Sequence, residues 1–172
     1  MLNVKLISSS TPYATSGDFC RIFNEEKGEL YLLSYLLTGD REKAEQCFIS
    51  GLEDSVKGNS VFKEWARSWA RRAIIQCAVR AINPRPRESG TSSRYNHIGK
   101  PPVELEEFAA VLELTPFDRF VYVMSVLERY SIQDCSVLLG YSRRDVAEAR
   151  IHALQQIGSA AEFHLEHAVT AS

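Results

Sequence analysis

Apolar residues recur at intervals of three and four along most of the chain, which is the spacing of one buried face of an α-helix. The pattern begins near Asp18 with Phe19, Ile22 and Phe23. It predicts further helices over 41–56, 61–82, 103–112 and 143–157, and two more that begin after Thr115 and after Ser131. No stretch shows the strict alternation of a strand. The pattern therefore predicts an all-α protein.

Residues that cap or break helices mark the boundaries of these segments. Gly39 ends one helix, and Asp40, a good N-cap, begins the next. Asn83, which precedes a proline, ends the helix over 61–82. Near the C-terminus Gly140 makes a tight turn, and Ser142 caps the helix that follows it.

Composition divides the chain into two helical parts. Residues 84–104 hold four of the six prolines and almost no apolar side chain, which is typical of a flexible linker. We therefore predict two small helical domains, over 17–83 and over 105–162. A flexible N-terminal arm covers 1–16, and a tail covers 163–172.

The overall composition limits the class of protein. The chain has 172 residues, of which 45% are hydrophobic and 24% charged, with a net charge of only -2. Nucleic-acid binding would therefore have to come from a local basic patch. No apolar run is long enough for a signal peptide or a membrane span, and the four cysteines are widely spaced. We expect a cytoplasmic protein with reduced thiols and no membrane association.

One segment, 61–87, is strongly basic and carries both tryptophans. It holds seven basic residues and one acidic residue, a local net charge of +6. Lys63, Arg67 and Arg71 stand four apart and form a basic stripe, while Trp65 and Trp69 share another face. Basic charge beside tryptophan suits single-stranded DNA, whose bases stack on aromatic rings. The alternative is a solvated stripe beside core tryptophans, and we expect at least one of the two to be buried.

The segment 131–157 has the spacing of a helix-turn-helix, with a capped short helix, a glycine turn and a second capped helix. Arg143 and Arg144 lie at the start of the second helix, where they can reach phosphates or guanine edges. Arg150 follows two turns later. Asp145 would repel phosphate unless it serves the helix N-terminus. The alternative is a pair of packed helices with solvated charges.

Taken in order, these segments resemble the extracytoplasmic-function sigma factors, the smallest branch of the sigma-70 family. Residues 36–45, LLTGDREKAE, resemble the start of that family's polymerase-binding helix. The segment 61–80 lies where the family recognises and melts the promoter's -10 element. The segment 112–157 is similar to the family's C-terminal domain, which reads the -35 element.

The resemblance implies a transcription initiation factor that binds core RNA polymerase and promoter DNA and helps to open the DNA. An anti-sigma factor is a further candidate partner. The residues implied to face polymerase are Asp40, Arg41, Glu42 and Glu45. Those implied for the -10 strand are Arg67, Trp69, Arg71 and Arg72, with Lys63 from the same basic stripe. Those implied for the -35 duplex are Ser142, Arg143, Arg144 and Arg150.

Departures from the family pattern leave other functions open. The family usually has an acidic residue and then a Gln-Glu pair where this chain has Gln46 and then Ser50-Gly51. In the second half of the recognition helix, the basic side chains are only Arg150 and His152. One alternative is a degenerate sigma-like protein that keeps the fold and binds a protein partner. Another is a stand-alone helix-turn-helix regulator that does not use polymerase.

Motifs for catalysis and for cofactors are missing from the sequence. It shows no nucleophile elbow, no catalytic triad motif and no Gly-rich phosphate loop. His164 and His167 are one helical turn apart, but no further ligands in the sequence support a metal site. We therefore expect no enzymatic activity, no cofactor and no metal.

Overall fold

The structure is a computed structural model and describes residues 11–58, 60–86 and 108–170, the last ten of these by their backbone alone. The predicted all-α class is confirmed, because the described residues form eight α-helices and no β-strand. The helices are α1 (Ser16–Glu25), α2 (Lys27–Thr38), α3 (Arg41–Lys57), α4 (Ala66–Ile82), α5 (Ala109–Leu112), α6 (Pro116–Tyr122), α7 (Ile132–Leu139) and α8 (Arg143–Thr170). Most of the predicted arm over 1–16 and of the predicted linker over 84–104 lies outside the described residues.

The helix ends predicted from capping residues are confirmed. Gly39 follows the last turn of α2 with a left-handed φ of 65°, a conformation that glycine adopts without steric cost. The carboxylate of Asp40 then caps α3 by accepting a hydrogen bond from the backbone amide of Lys43 at 2.9 Å. Asn83 ends α4 in the left-handed region, at φ 49°. Local sequence therefore determines where these helices begin and end.

The helix predicted over 61–82 begins later than the hydrophobic pattern indicates. Residues 63–65 form a 3-10 turn, and regular helix begins at Ala66. Phe62 instead pairs with Tyr13 in an isolated antiparallel bridge, with ring centroids 4.8 Å apart. Since the extended backbone of that bridge is incompatible with a helix, the earlier predicted start is wrong.

The last helix is longer than predicted. Its backbone stays helical to Thr170, well past the expected end near Ile157. The weak point at Gly158 costs only about 1 kcal/mol inside a helix, which is not enough to stop one that is already formed. The side chains of His164 and His167 lie outside the described part. No described helix, α8 included, is long and apolar enough to cross a membrane.

The buried apolar side chains form one continuous cluster that runs from Phe19 in α1 to Ala153 in α8. Its N-terminal part lies among α1–α4, and its C-terminal part lies among α5–α8. The two parts meet where α2 packs on α6 and α4 packs on α7. The helices on either side of residues 87–107 therefore share a core.

A buried arginine joins these two groups of helices. Arg119 in α6 is 3% exposed. Its Nε and Nη2 donate to the carbonyls of Leu37 and Thr38 at 3.4 and 3.2 Å, and its Nη1 donates to the carbonyl of Leu112 at 3.2 Å. The last carbonyls of a helix have no partner within it. The guanidinium therefore satisfies the open end of α2 and holds α6 against it.

All four cysteines of the chain are free thiols in the structure. Cys20 is exposed, and the other three are buried in the core. Burial raises the pKa of Cys77 and of Cys135 to about 11. These two side chains therefore stay protonated near neutral pH and behave as small apolar groups.

Gly51 of α3 packs directly against Ile74 of α4, and its replacement tests that packing. A Cβ atom at this position would lie 2.7 Å from Ile74 Cγ1 and 3.4 Å from Ile74 Cα. We expect Gly51→Ala to lower the free energy of unfolding by about 1 kcal/mol, because overpacking outweighs the gain in helix propensity. Urea unfolding measures the change. Gly158→Ala is the control, since nothing lies within 4 Å of that position. A more stable Gly51→Ala protein would contradict the close packing.

Replacing Arg119 tests the junction between the two groups of helices. We expect Arg119→Met to lower the free energy of unfolding by about 3 kcal/mol or more, because three charge-assisted hydrogen bonds are lost and buried carbonyls stay unpaired. Thermal unfolding followed by circular dichroism measures the loss. Arg41→Met is the control, because the Arg41 side chain is 84% exposed, and it should change stability by less than about 0.5 kcal/mol. Equal effects of the two changes would show that Arg119 does not hold the junction.

Candidate nucleic-acid interface

The turn between α7 and α8 is fixed by side chains at both of its ends. Ser131 caps α7 through a reciprocal pair of hydrogen bonds with Asp134. Gly140 closes that helix with a φ of 75°. Ser142 then accepts from the Asp145 amide at 3.2 Å and donates its hydroxyl to the Asp145 carboxylate at 2.6 Å. The start of α8 is therefore held in one position relative to α7.

The basic residues predicted at the start of α8 lie on its exposed side. Arg143, Arg144 and Arg150 are all exposed. Arg144 donates to Glu148 at 2.8 Å, and this hydrogen bond raises the pKa of its guanidinium. Arg143 and Arg150 form no ion pair with any carboxylate of the described residues. Arg143 and Arg150 therefore have no acidic partner among the described residues. The Asp145 carboxylate, which could repel phosphate, forms the cap of its own helix.

The basic stripe before and within α4 lies beside carboxylates of α1 and of the turn that follows it. Lys63 Nζ lies 3.9 Å from Asp18 Oδ2. Arg67 pairs with Glu25 at 2.9 Å and also with Glu26. The hydrogen bonds to Glu26 and Glu25 raise the pKa of the Arg67 guanidinium. The positive charges of Lys63 and Arg67 are thus compensated within the protein.

Arg71 is the centre of the largest ion-pair cluster among the described residues. Its Nη2 lies 3.3 Å from Glu26 and 2.5 Å from Glu29, and its Nη1 lies 3.1 Å from Glu128. Partial burial opposes the charge of Arg71, but Glu128 and Glu29 outweigh it and raise its pKa. Glu128 follows α6, whereas the other two carboxylates belong to the N-terminal helices. The cluster therefore joins the two groups of helices a second time.

Neither tryptophan is buried, which corrects the expectation that at least one would be in the core. Trp65 is 58% exposed and contacts Phe62 edge to face, with centroids 5.4 Å apart. Trp69 is half-buried at the edge of the core. The physical reason is that the chain through Trp65 is a 3-10 turn, so its side chain does not follow the helical phase of α4.

The residues implied to face polymerase cluster on the surface at the start of α3. Asp40, Arg41, Glu42 and Glu45 are all exposed. Arg41 lies 3.4 Å from Glu45, and Asp40 caps the helix. The geometry brings the four together on one helical end, with two of the four side chains already paired to each other.

The sequence analysis missed the carboxylates that pair with the basic stripe. Glu25, Glu26 and Glu29 have the spacing of residues on one helical surface, and this spacing can be read from the sequence. Glu128 carries no such signal, because only the packing of α6 on α2 and of α7 on α4 brings it to Arg71. No described group of His, Cys, Asp and Glu is arranged to hold a metal ion.

Comparison with known proteins does not identify the chain. No protein-family description matches the sequence, and no curated protein matches it.

The ion pair between Arg71 and Glu128 can be tested with a double-mutant cycle. We expect Arg71→Gln and Glu128→Gln to be coupled by about 1 kcal/mol in urea unfolding, because the two side chains are only 25% and 15% exposed. The coupling should decrease as salt is added. The exposed pair Arg41 and Glu45, changed in the same way, should show a coupling of about 0.3 kcal/mol. Equal couplings in the two pairs would mean that burial does not strengthen the first.

Proposed function

We propose that the protein is a sigma-like transcription initiation factor that binds core RNA polymerase and promoter DNA. In this proposal it is organised as two small helical domains joined by a linker, with α7 and α8 as the helix-turn-helix that reads the -35 element. The first residues of α8 enter the major groove, as the second helix of such a motif does. The segment around α4 meets the -10 strand, and the start of α3 meets polymerase.

The observation that carries the proposal is the pair of exposed arginines at the capped start of α8, which have no acidic partner among the residues that the structure describes. Arg143 and Arg150 keep their charge available for phosphates or guanine edges. The cap formed by Ser142 and Asp145 fixes the direction of the helix start. Asp145 also caps the N-terminus of its own helix, and the helix dipole offsets part of the negative charge with which it would repel phosphate.

The basic surface of α4 requires one further step in this proposal. Arg71 exchanges Glu128 for a DNA phosphate when the helices after residue 107 move away from α4. The ion pair itself is partly exposed and can be exchanged. The separation also breaks the Arg119 junction and opens the shared core, so a partner must supply that free energy. Core RNA polymerase, the partner that the resemblance implies, would favour this separation.

The first experiment is a pull-down of the whole chain with bacterial core RNA polymerase, scored by run-off transcription on genomic DNA fragments. We expect stable binding and new start sites. We also expect the double change Arg143→Glu with Arg150→Glu to lower promoter-dependent initiation by about tenfold or more while polymerase binding is kept, because phosphate contacts dominate affinity.

The matched control is Arg21→Glu with Lys57→Glu, which changes the net charge equally on α1 and α3. This control should keep promoter use, and its DNA affinity should fall with salt as steeply as that of the unchanged protein. DNA binding without polymerase binding would replace the proposal with a stand-alone regulator. No binding to polymerase at low salt would overturn it.

A second candidate is a degenerate sigma-like protein that keeps the fold and binds a protein partner. The specific observation in its favour is that Arg67 and Arg71 are surrounded by four carboxylates. These carboxylates would repel a single strand at close range. In this case Glu26→Gln with Glu29→Gln would leave DNA affinity unchanged, whereas a working initiation factor should bind single-stranded DNA more tightly after the change.

A further inference from the structure

A cleft of about 410 Å³ lies between α4 and the segment over 128–134 that leads into α7. Its volume is within the range of small-ligand sites in proteins. One wall carries Trp65, Trp69 and Arg72, and the other carries Arg129 and Tyr130. Both tryptophans of the chain therefore line one cleft, together with a third aromatic ring.

The charges in this cleft do not cancel. Three arginines and two acidic residues line it. Glu128 is paired with Arg71 at 3.1 Å, and Asp134 is held by the hydroxyl of Ser131 at 2.5 Å. Arg72 and Arg129 have no ion pair with any carboxylate in the described ranges. The cleft thus contains two guanidinium groups that pair with no carboxylate of the described residues, and the Arg72 side chain is half-buried.

Two unusual backbone features support the far wall of the cleft. Residues 123–127 form a π-helical turn, and Arg129 has a left-handed φ of 58°. The turn is fixed by the Tyr130 amide, which donates to the carbonyl of Met124 at 2.9 Å. Such a conformation is strained for arginine, and both π-turns and strained residues occur frequently at functional sites. Arg129, the residue in this strained conformation, lines the cleft.

We infer that this cleft binds a free purine nucleoside monophosphate, with the base stacked on tryptophan and the phosphate bound by Arg72 and Arg129. Aromatic rings bind a base through stacking, and planar guanidinium groups match the geometry of phosphate oxygens. A monophosphate carries about two negative charges near neutral pH. The cleft offers it a net charge of +1, three arginines against two carboxylates, and Arg72 and Arg129 form no ion pair within the described ranges. Tyr130 stays a neutral hydrogen-bond donor, because burial raises the pKa of its phenol.

A longer nucleic acid fits the cleft less well than a single nucleotide does. Glu128 and Asp134 lie in the same cleft and would repel the next phosphates of a strand. Because the walls come from α4 and from the segment before α7, a bound nucleotide bridges the two groups of helices. The bound nucleotide would hold the two groups of helices together. This stabilisation does not depend on polymerase or on promoter DNA.

The test is a fluorescence titration of the whole purified chain with adenosine and guanosine monophosphate. Excitation is at the red edge of tryptophan absorption, where nucleotides do not absorb. Since both tryptophans line the cleft, we expect saturable quenching of most of the signal, together with a higher melting temperature. Adenosine without phosphate and inorganic phosphate alone should each bind at least about tenfold more weakly.

The decisive variant is Arg129→Gly, which removes the guanidinium and also relieves the left-handed strain, so the fold is kept. We expect it to raise the dissociation constant at least about tenfold, as should Arg72→Gln. The control Lys43→Gln, at an exposed position of α3 that does not line the cleft, should bind normally. Absence of saturable quenching in the unchanged protein, or equal binding by Arg129→Gly, would overturn the inference. So would binding of a single-stranded oligonucleotide in the cleft without binding of the monophosphate.

Discussion

The buried guanidinium of Arg119 joins the end of α2 to α6, and the surfaces described above are positioned by that junction. A charge removed from water is costly unless its hydrogen bonds are satisfied. Here it meets the carbonyls of Leu37 and Thr38, which carry the negative end of the α2 dipole and have no partner in their own helix. The buried guanidinium and the buried carbonyls would each be costly without a hydrogen-bond partner, and here they satisfy one another. The pairing therefore holds the two groups of helices in one relative position.

That position decides which charges meet. Once α6 lies against α2, the segment that follows it reaches α4, and Glu128 comes within 3.1 Å of Arg71. The same approach creates the cleft that contains both tryptophans. The basic surface of α4 is consequently shared between internal carboxylates and any external anion. In the proposals above, a DNA strand competes with the protein's own glutamates for Arg67 and Arg71, whereas a nucleotide binds Arg72 and Arg129.

Part of the candidate interface could be predicted from the sequence, because it depends on neighbours along the chain. The exposed arginines at the start of α8 follow from the cap at Ser142, and the surface at the start of α3 follows from the cap at Asp40. The rest could not be predicted in this way. The exposure of Trp65 depends on the bridge between Phe62 and Tyr13, which are far apart in sequence. Hydrophobic periodicity assumes a regular helix there and therefore gave the wrong burial.

The sequence by itself determined the all-α class, the order of the helices and most of their ends, since helix propensity, capping and breaking act within a few residues. Only the tertiary structure decided how the two groups of helices pack and which side chains are neutralised. Arg67 and Arg71 look in the sequence like free positive charges, and in the fold they are held by carboxylates more than 40 residues away along the chain. The physical reason is that electrostatic contacts depend on distance in space, which a local pattern does not contain.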